Sequence, residues 1–240
     1  MRNSDTTGET PSMATIDIYG TSGCPYVHRT RLVMIEKGID FALTIIDTKN
    51  KPDWFLKISP YGKVPVIEHG DVVLYESAII NEYLNEVFPA TPLMPADAAR
   101  RAQARIWIDY CNTRLLPSIG TLRSSKPGAE RDAARDGVAQ CFRFIEREGL
   151  GKLSGGGPYW LGAQPSLADF TYYPHIERLA PLEHYRDFKI PDDCKRFKAW
   201  FAAMCERPSV KQTATPATVY IERYADRFAD TPVAKANAAE

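Results

Sequence analysis

The chain has 240 residues, 44% hydrophobic and 25% charged, and its 30 basic side chains balance 30 acidic ones. A neutral chain of ordinary composition gives no electrostatic case for nucleic acid as its main partner. No apolar run reaches the roughly 20 residues that span a bilayer, and the length suits one large domain or two small ones.

The first residues, "MRNSDTTGETPS", are polar and lack an apolar signal core, so positions 1–13 read as a tail and the cytoplasm is the expected compartment. "TIDIY", Thr15 to Tyr19, alternates and is β-branched, which predicts a strand. "GTSG" is a turn, and Pro25 suits the first turn of a helix that runs to Lys37 and stops at Gly38. "FALTIID", Phe41 to Asp47, is a second strand, parallel to the first because a helix bridges them. A short helix follows at Asp53 to Lys57. "VPVIE" and "VVLY" flank "HGD" as a hairpin, and "ESAIINEYLNEVF" has helical periodicity. This order is that of an α/β thioredoxin-like domain, with expected bounds 14–90.

"PATPLMPAD", Pro89 to Asp97, is a proline-rich linker. Everything beyond it is predicted helical and forms an all-α helical-bundle domain over 96–230, with 231–240 as a second tail. One long helix is expected over 96–116 and another over 129–150, then a glycine-rich loop and helices from Ser166, Asp192 and Pro216. Ser166 and Asp169 have the spacing of a capping box, a structural role. The basic pairs Arg29/Arg31 and Arg100/Arg101 read as solvated helix faces.

Five cysteines lie far apart, with neither metal-type spacing nor a disulfide pattern. Cys111, Cys141, Cys194 and Cys205 are expected to be buried helix residues, and no metal is implied. Cys24 differs. It stands between a strand and a helix in "SGCPYV", and Val27 fills the slot where a redox C-x-x-C motif has its second cysteine. A helix N-terminus stabilises a thiolate, so the Cys24 pKa is expected below the free value of about 8.5. Arg29 and Arg31 add positive charge, and His28 is expected exposed and unconnected. Without a partner at Val27, Cys24 can form a mixed disulfide or adduct that an external thiol must resolve.

If that thiol is glutathione, the chain must hold a small peptide with two carboxylates and an amine. Val64-Pro65 is a candidate cis bond that would turn the Val64 backbone toward an extended ligand. Glu76 and Ser77 open a helix whose N–H groups and hydroxyl suit a carboxylate, with Glu76 opposite the ligand's amine. Helix capping is the structural alternative for that pair. Lys51 can reach a second carboxylate.

On "CPYVHRTRLVMIEKGI", "KNKPDWFLKISPYGKVPVIE", "LYESAIINEYLNEVFP" and "SLADFTYYPHIERL", the chain resembles the cytosolic glutathione transferases, most closely the cysteine-type omega class, from about Thr15 to Phe228. The resemblance implies Cys24 as nucleophile and Lys51, Val64, Pro65, Glu76 and Ser77 as the glutathione site. It implies glutathione as cosubstrate, a homodimer, and thiol transfer, dehydroascorbate reduction or deglutathionylation of small adducts. The tail of the helical region is similar to the glutathione-lyases of lignin-fragment catabolism. Trp107, Tyr110 and Arg114 share a helix face by spacing. With Arg178, Tyr220 and Tyr224, taken from the resemblance, they are the expected second-substrate residues, core packing being the alternative for each. The competing functions are a zeta-type glutathione-dependent isomerase and a non-catalytic scaffold or channel-like protein of the same fold.

Overall fold

The computed structural model describes residues 16–228. The tails at 1–13 and 231–240, and Thr15 of the expected first strand, lie outside the described residues. Strand β1 (Ile16–Gly20) is followed by helix α1 (Pro25–Lys37), strand β2 (Phe41–Ile45), the short helix α2 (Asp53–Ile58), the hairpin β3 (Val66–His69) and β4 (Val72–Tyr75), and helix α3 (Ser77–Val87). The sheet order is β2-β1-β3-β4, with β1 parallel to β2 and antiparallel to β3. The parallel pair follows from the α1 crossover, and a turn at Gly70, whose φ of 59° suits glycine, sets β3 and β4 antiparallel. Ile16, Ile18 and Ile67 are fully buried and seat one face of the sheet against α1 and α3, while Val66 on the other face packs with Ile46 and with Phe55 of α2.

α1 stops where the sequence indicates. Gly38 has φ 65° and its N–H returns to the carbonyls of Ile35 and Met34. Its burial departs from the expectation of a solvated face. Val27, His28, Arg29 and Thr30 are all buried, because α1 packs on α3 on one side and on α8 (Leu167–Ile176) of the helical region on the other.

Among the described residues everything from Ala98 onward is helix or connection. The expected helix 96–116 runs further. α4 (Ala98–Tyr110) passes through a π turn at Cys111–Leu115 into α5 (Leu116–Ser124). Pro117 falls in the first turn of α5, and the wider turn before it absorbs the missing N–H without ending the helix. α6 (Ala129–Phe144) likewise passes through a π turn at Ile145–Leu150 into the single turn α7 (Gly151–Leu153). Beyond α8, α9 (Ala180–Arg186), α10 (Lys195–Cys205), α11 (Pro208–Thr213) and α12 (Ala217–Tyr224) complete the region, and Ala225–Phe228 continues α12 as a 3-10 turn. Asp169 and Ser166 form the expected capping box, and the Asp169 carboxylate also accepts from Trp160 N–H and Trp200 Nε1–H. No helix among the described residues is long and apolar enough to cross a membrane.

Candidate active site

Cys24 is the N-cap of α1, half-buried, with its N–H on the Thr21 carbonyl and its own carbonyl accepting from His28 N–H. Burial is the largest influence on the thiol and pushes its pKa up. The backbone N–H groups of Val27 and Tyr26, with Arg178 and Arg29, pull the other way and do not overcome it. The expected drop below the free-thiol value is therefore not met; the helix N-terminus offsets part of the desolvation and no more.

Two clefts meet at Tyr26 and Val64. The first, about 320 Å³, is lined by Val64, Pro65, Glu76 and Ser77 together with Arg29, Tyr61, Lys63 and Asn112. The Val64-Pro65 bond is cis, and Val64 stands outside the strand ladder, which begins at Val66. Glu76 holds φ 69° and ψ 102°, a conformation sparsely populated by non-glycine residues, and its side chain makes no cap bond to α3. The Ser77 hydroxyl accepts from Arg29 Nη1 at 3.3 Å. The capping alternative for this pair is thus not what the geometry displays. Lys51 Nζ lies 3.7 Å from where a Cβ at Gly62 would stand, between Tyr61 and Lys63 in sequence.

Arg29 was expected at the surface and is 1% exposed. Its guanidinium reaches Ser77 Oγ, Asn112 Oδ1, the Thr171 carbonyl and His175 Nε2 at 3.1–3.3 Å, and no carboxylate is among these partners. It is a buried cation with neutral partners, at the edge of an open cleft.

His28, expected exposed, is buried. Its Nδ1 accepts from Arg178 and its Nε2 faces Thr213 Oγ1 at 2.8 Å. Burial, and then Arg178, hold its pKa down to about 3, so it is neutral and does not act as a base for Cys24. Arg178 also donates to the Gly23 carbonyl at 3.4 Å and pairs with Glu177, tying the loop before Cys24 to the turn after α8.

The second cleft, about 560 Å³, opens between the two halves of the molecule and is lined by Cys24, Pro25, Leu116, Ile119, Arg123, Tyr224 and others. Of the expected second-substrate residues, Tyr224 lines it and Arg178 lines the adjoining hollow. Trp107 does not: it is 6% exposed and packs on Trp160 and Phe144. Tyr110 stacks on Phe144, Arg114 is exposed, and Tyr220 is buried with its hydroxyl on Glu177. Of the face that these spacings define, Trp107 is core, Tyr110 is partly buried and Arg114 is exposed. Cys111 and Cys194 are buried as expected, whereas Cys141 and Cys205 are only partly covered and Cys194 precedes α10 rather than lying in it.

Asn112, His175, Arg123, Arg223 and Arg227 line the clefts without a role read from the sequence, and Arg29, read there only as a positive charge near Cys24, lines the first cleft. A usable signal existed for two of them: Tyr220, Arg223, Tyr224 and Arg227 repeat at helical spacing.

Residues 23–87 match the glutathione S-transferase N-terminal domain model and residues 128–203 the C-terminal one. Glutathione S-transferase omega-1 of Sus scrofa is 31% identical over 196 residues, 81% of this chain and 78% of that protein. The chain belongs to the glutathione S-transferase family. Among solved structures, the tau-class glutathione S-transferase of mango superposes with a TM-score of 0.82 at 28% identity, over 88% of this chain and 98% of that one. Rice GST1, solved in complex with glutathione, gives 0.80 at 27%, over 90% and 98%. Sequence likeness is to omega-class members, and backbone likeness extends to the tau class.

Proposed function

We propose that this family member is a glutathione-dependent thiol transferase whose nucleophile is Cys24. The observation that carries the reading is the position of Cys24 beside the junction of two clefts. One is lined by Val64, Pro65, Glu76, Ser77 and Arg29, the other lies between the halves.

Glutathione is the cosubstrate in this reading, and the rice relative was solved in complex with it. Val64 pairs with the cysteinyl backbone. Ser77, α3 N–H groups and Arg29 hold the γ-glutamyl carboxylate, and Glu76 faces its amine. Lys51 takes the glycyl carboxylate. The Cys24 thiolate attacks the glutathionyl sulfur of a mixed disulfide. The Cys24–glutathione bond forms as the old S–S bond breaks, and the released thiolate takes a proton from water. A second glutathione thiolate then attacks the Cys24–glutathione bond, yielding oxidised glutathione and free Cys24. No metal enters the chemistry.

The same reading takes 14–90 and 96–230 as the domain bounds and the cytoplasm as the compartment. It includes a homodimer, consistent with bare side chains at Ile79 on α3 and Ile106 on α4, 59% and 61% exposed, beside the Arg105–Glu82 ion pair that joins these helices.

The test is turnover of hydroxyethyl disulfide with glutathione by the wild type and by Cys24→Ser. Loss of turnover in a variant that still binds glutathione supports the mechanism. Equal rates in both proteins, or none in either, overturn it in favour of an isomerase or a non-catalytic role.

A further inference from the structure

The cleft that contains Cys24 has an uneven charge. Its lining includes three arginines, Arg123, Arg223 and Arg227, and no aspartate or glutamate. None of the three forms an ion pair among the described residues. Arg178, close by, differs in being neutralised by Glu177 at 3.0 Å.

The arrangement is built by α12 and its 3-10 continuation. Tyr220, Arg223, Tyr224 and Arg227 follow one another at i, i+3, i+4 and i+7, so they share a face, while Glu222 and Asp226 fall off that face and line neither cleft. Arg223 lies over the nucleophile's loop: its Nη1 is 2.8 Å from where a Cβ at Gly23 would stand. Its guanidinium rests near the Tyr220 ring at 5.9 Å, and Arg227 over Tyr224 at 4.7 Å. These ring contacts position the cations without cancelling their charge. Arg123 enters from α5 on the facing wall. Uncompensated charge of one sign in a cleft between low-dielectric walls raises the local concentration of the opposite charge.

We propose that this cleft selects second substrates whose non-glutathione half is an anion, a carboxylate or sulfonate held by Arg123, Arg223 and Arg227 while Cys24 attacks the sulfur. The proposal rests on Cys24 as nucleophile, and its first test does not need turnover. Alkylation of Cys24, followed by mass spectrometry, is compared for iodoacetate, an anion, and iodoacetamide, its neutral analogue. The iodoacetate-to-iodoacetamide rate ratio at Cys24 is expected to exceed that of free glutathione about tenfold at low salt and to fall toward it in 0.5 M NaCl. Arg223→Glu is expected to bring the ratio below that of glutathione. Circular dichroism and Tm are matched to the wild type first, because an unfolded fraction would alkylate Cys24 with a free thiol's ratio. A ratio equal to that of glutathione, or unchanged by Arg223→Glu, overturns the proposal whatever the enzyme catalyses.

The second test uses mixed disulfides of glutathione with 3-mercaptopropionate, 2-mercaptoethanol and 2-aminoethanethiol, each kcat/KM divided by the uncatalysed rate. The expected order is anion, neutral, cation. A series blind to charge overturns the proposal and assigns the arginines to glutathione's own carboxylates. Charge-selective alkylation with turnover that survives Cys24→Ser sinks the thiol-transfer reading and leaves an anion-attracting cleft.

Discussion

Cys24 lies under two opposed influences of similar kind. The N–H groups at the start of α1 and the nearby guanidiniums favour the thiolate, while burial favours the thiol and prevails. The sign is therefore fixed. A group whose pKa is raised is less ionised at neutral pH than a simple thiol, so its reaction with iodoacetamide rises with pH and reaches half its plateau above the roughly 8.5 of free cysteine. The same rise is expected in kcat/KM for a mixed disulfide, measured on the same pH grid. Replacing Arg178 with Gln removes a contribution that lowers the pKa and is expected to move both curves further upward in pH. A midpoint below that of free cysteine would mean that the helix terminus outweighs burial. A raised pKa is compatible with catalysis, since the smaller thiolate fraction is the more nucleophilic one.

At the scale of elements, the fold of the helical region depends on one carboxylate. Asp169 is fully buried and accepts four hydrogen bonds, from Ser166 N–H at 2.7 Å, Ser166 Oγ–H, Trp160 N–H and Trp200 Nε1–H. It joins the start of α8 to the glycine-rich loop and to α10. Asp169→Ala leaves four donors without a partner, and bonds to a charged acceptor contribute roughly 1.5–3 kcal/mol each. The expected loss is at least about 3 kcal/mol, or roughly 6–12 °C in Tm for a chain of this size, read by calorimetry. A loss under about 1 kcal/mol would show that the box is dispensable.

That capping box was legible in "SLAD" because its physics is local, and so were Gly38, Gly70 and the strand–helix junction at Cys24. The burial of α1 was not. Its sequence carries two arginines and a histidine in four residues, which reads as a wet face. The helix is instead covered twice, by α3 and by α8, the latter a contact between segments about 130 residues apart. The same remoteness hid the joining of Arg123 to Arg223 and Arg227. Trp107 and Tyr110 admit two readings for the converse reason: an aromatic stripe at helical spacing fits a core and a pocket wall equally well, and in the structure Trp107 is buried and Tyr110 partly so.

For the whole molecule, the two halves are pinned through Arg29. From α1 it reaches Ser77 at the start of α3, Asn112 in the π turn after α4, and the Thr171 carbonyl on α8. A buried guanidinium whose partners are all neutral has its desolvation only partly offset, and burial lowers its pKa. Such a charge is expected to gain most from an anion that enters the adjoining cleft. Arg29→Met is therefore expected to weaken glutathione binding at least about tenfold, since a charge-assisted bond contributes roughly 1.5–3 kcal/mol. Isothermal titration calorimetry is the measurement. Arg29→Lys is expected to recover part of the loss, because the ammonium keeps the charge but loses the planar fork that spans several acceptors at once. Affinity is reckoned per folded molecule, so a drop in Tm alone does not imitate this result. If the Met variant binds glutathione as tightly as the wild type, Arg29 is a pin between the halves and nothing more. If binding falls and Lys restores part of it, the residue that joins the two halves is also the one that senses the ligand's charge, and folding and glutathione capture share one side chain.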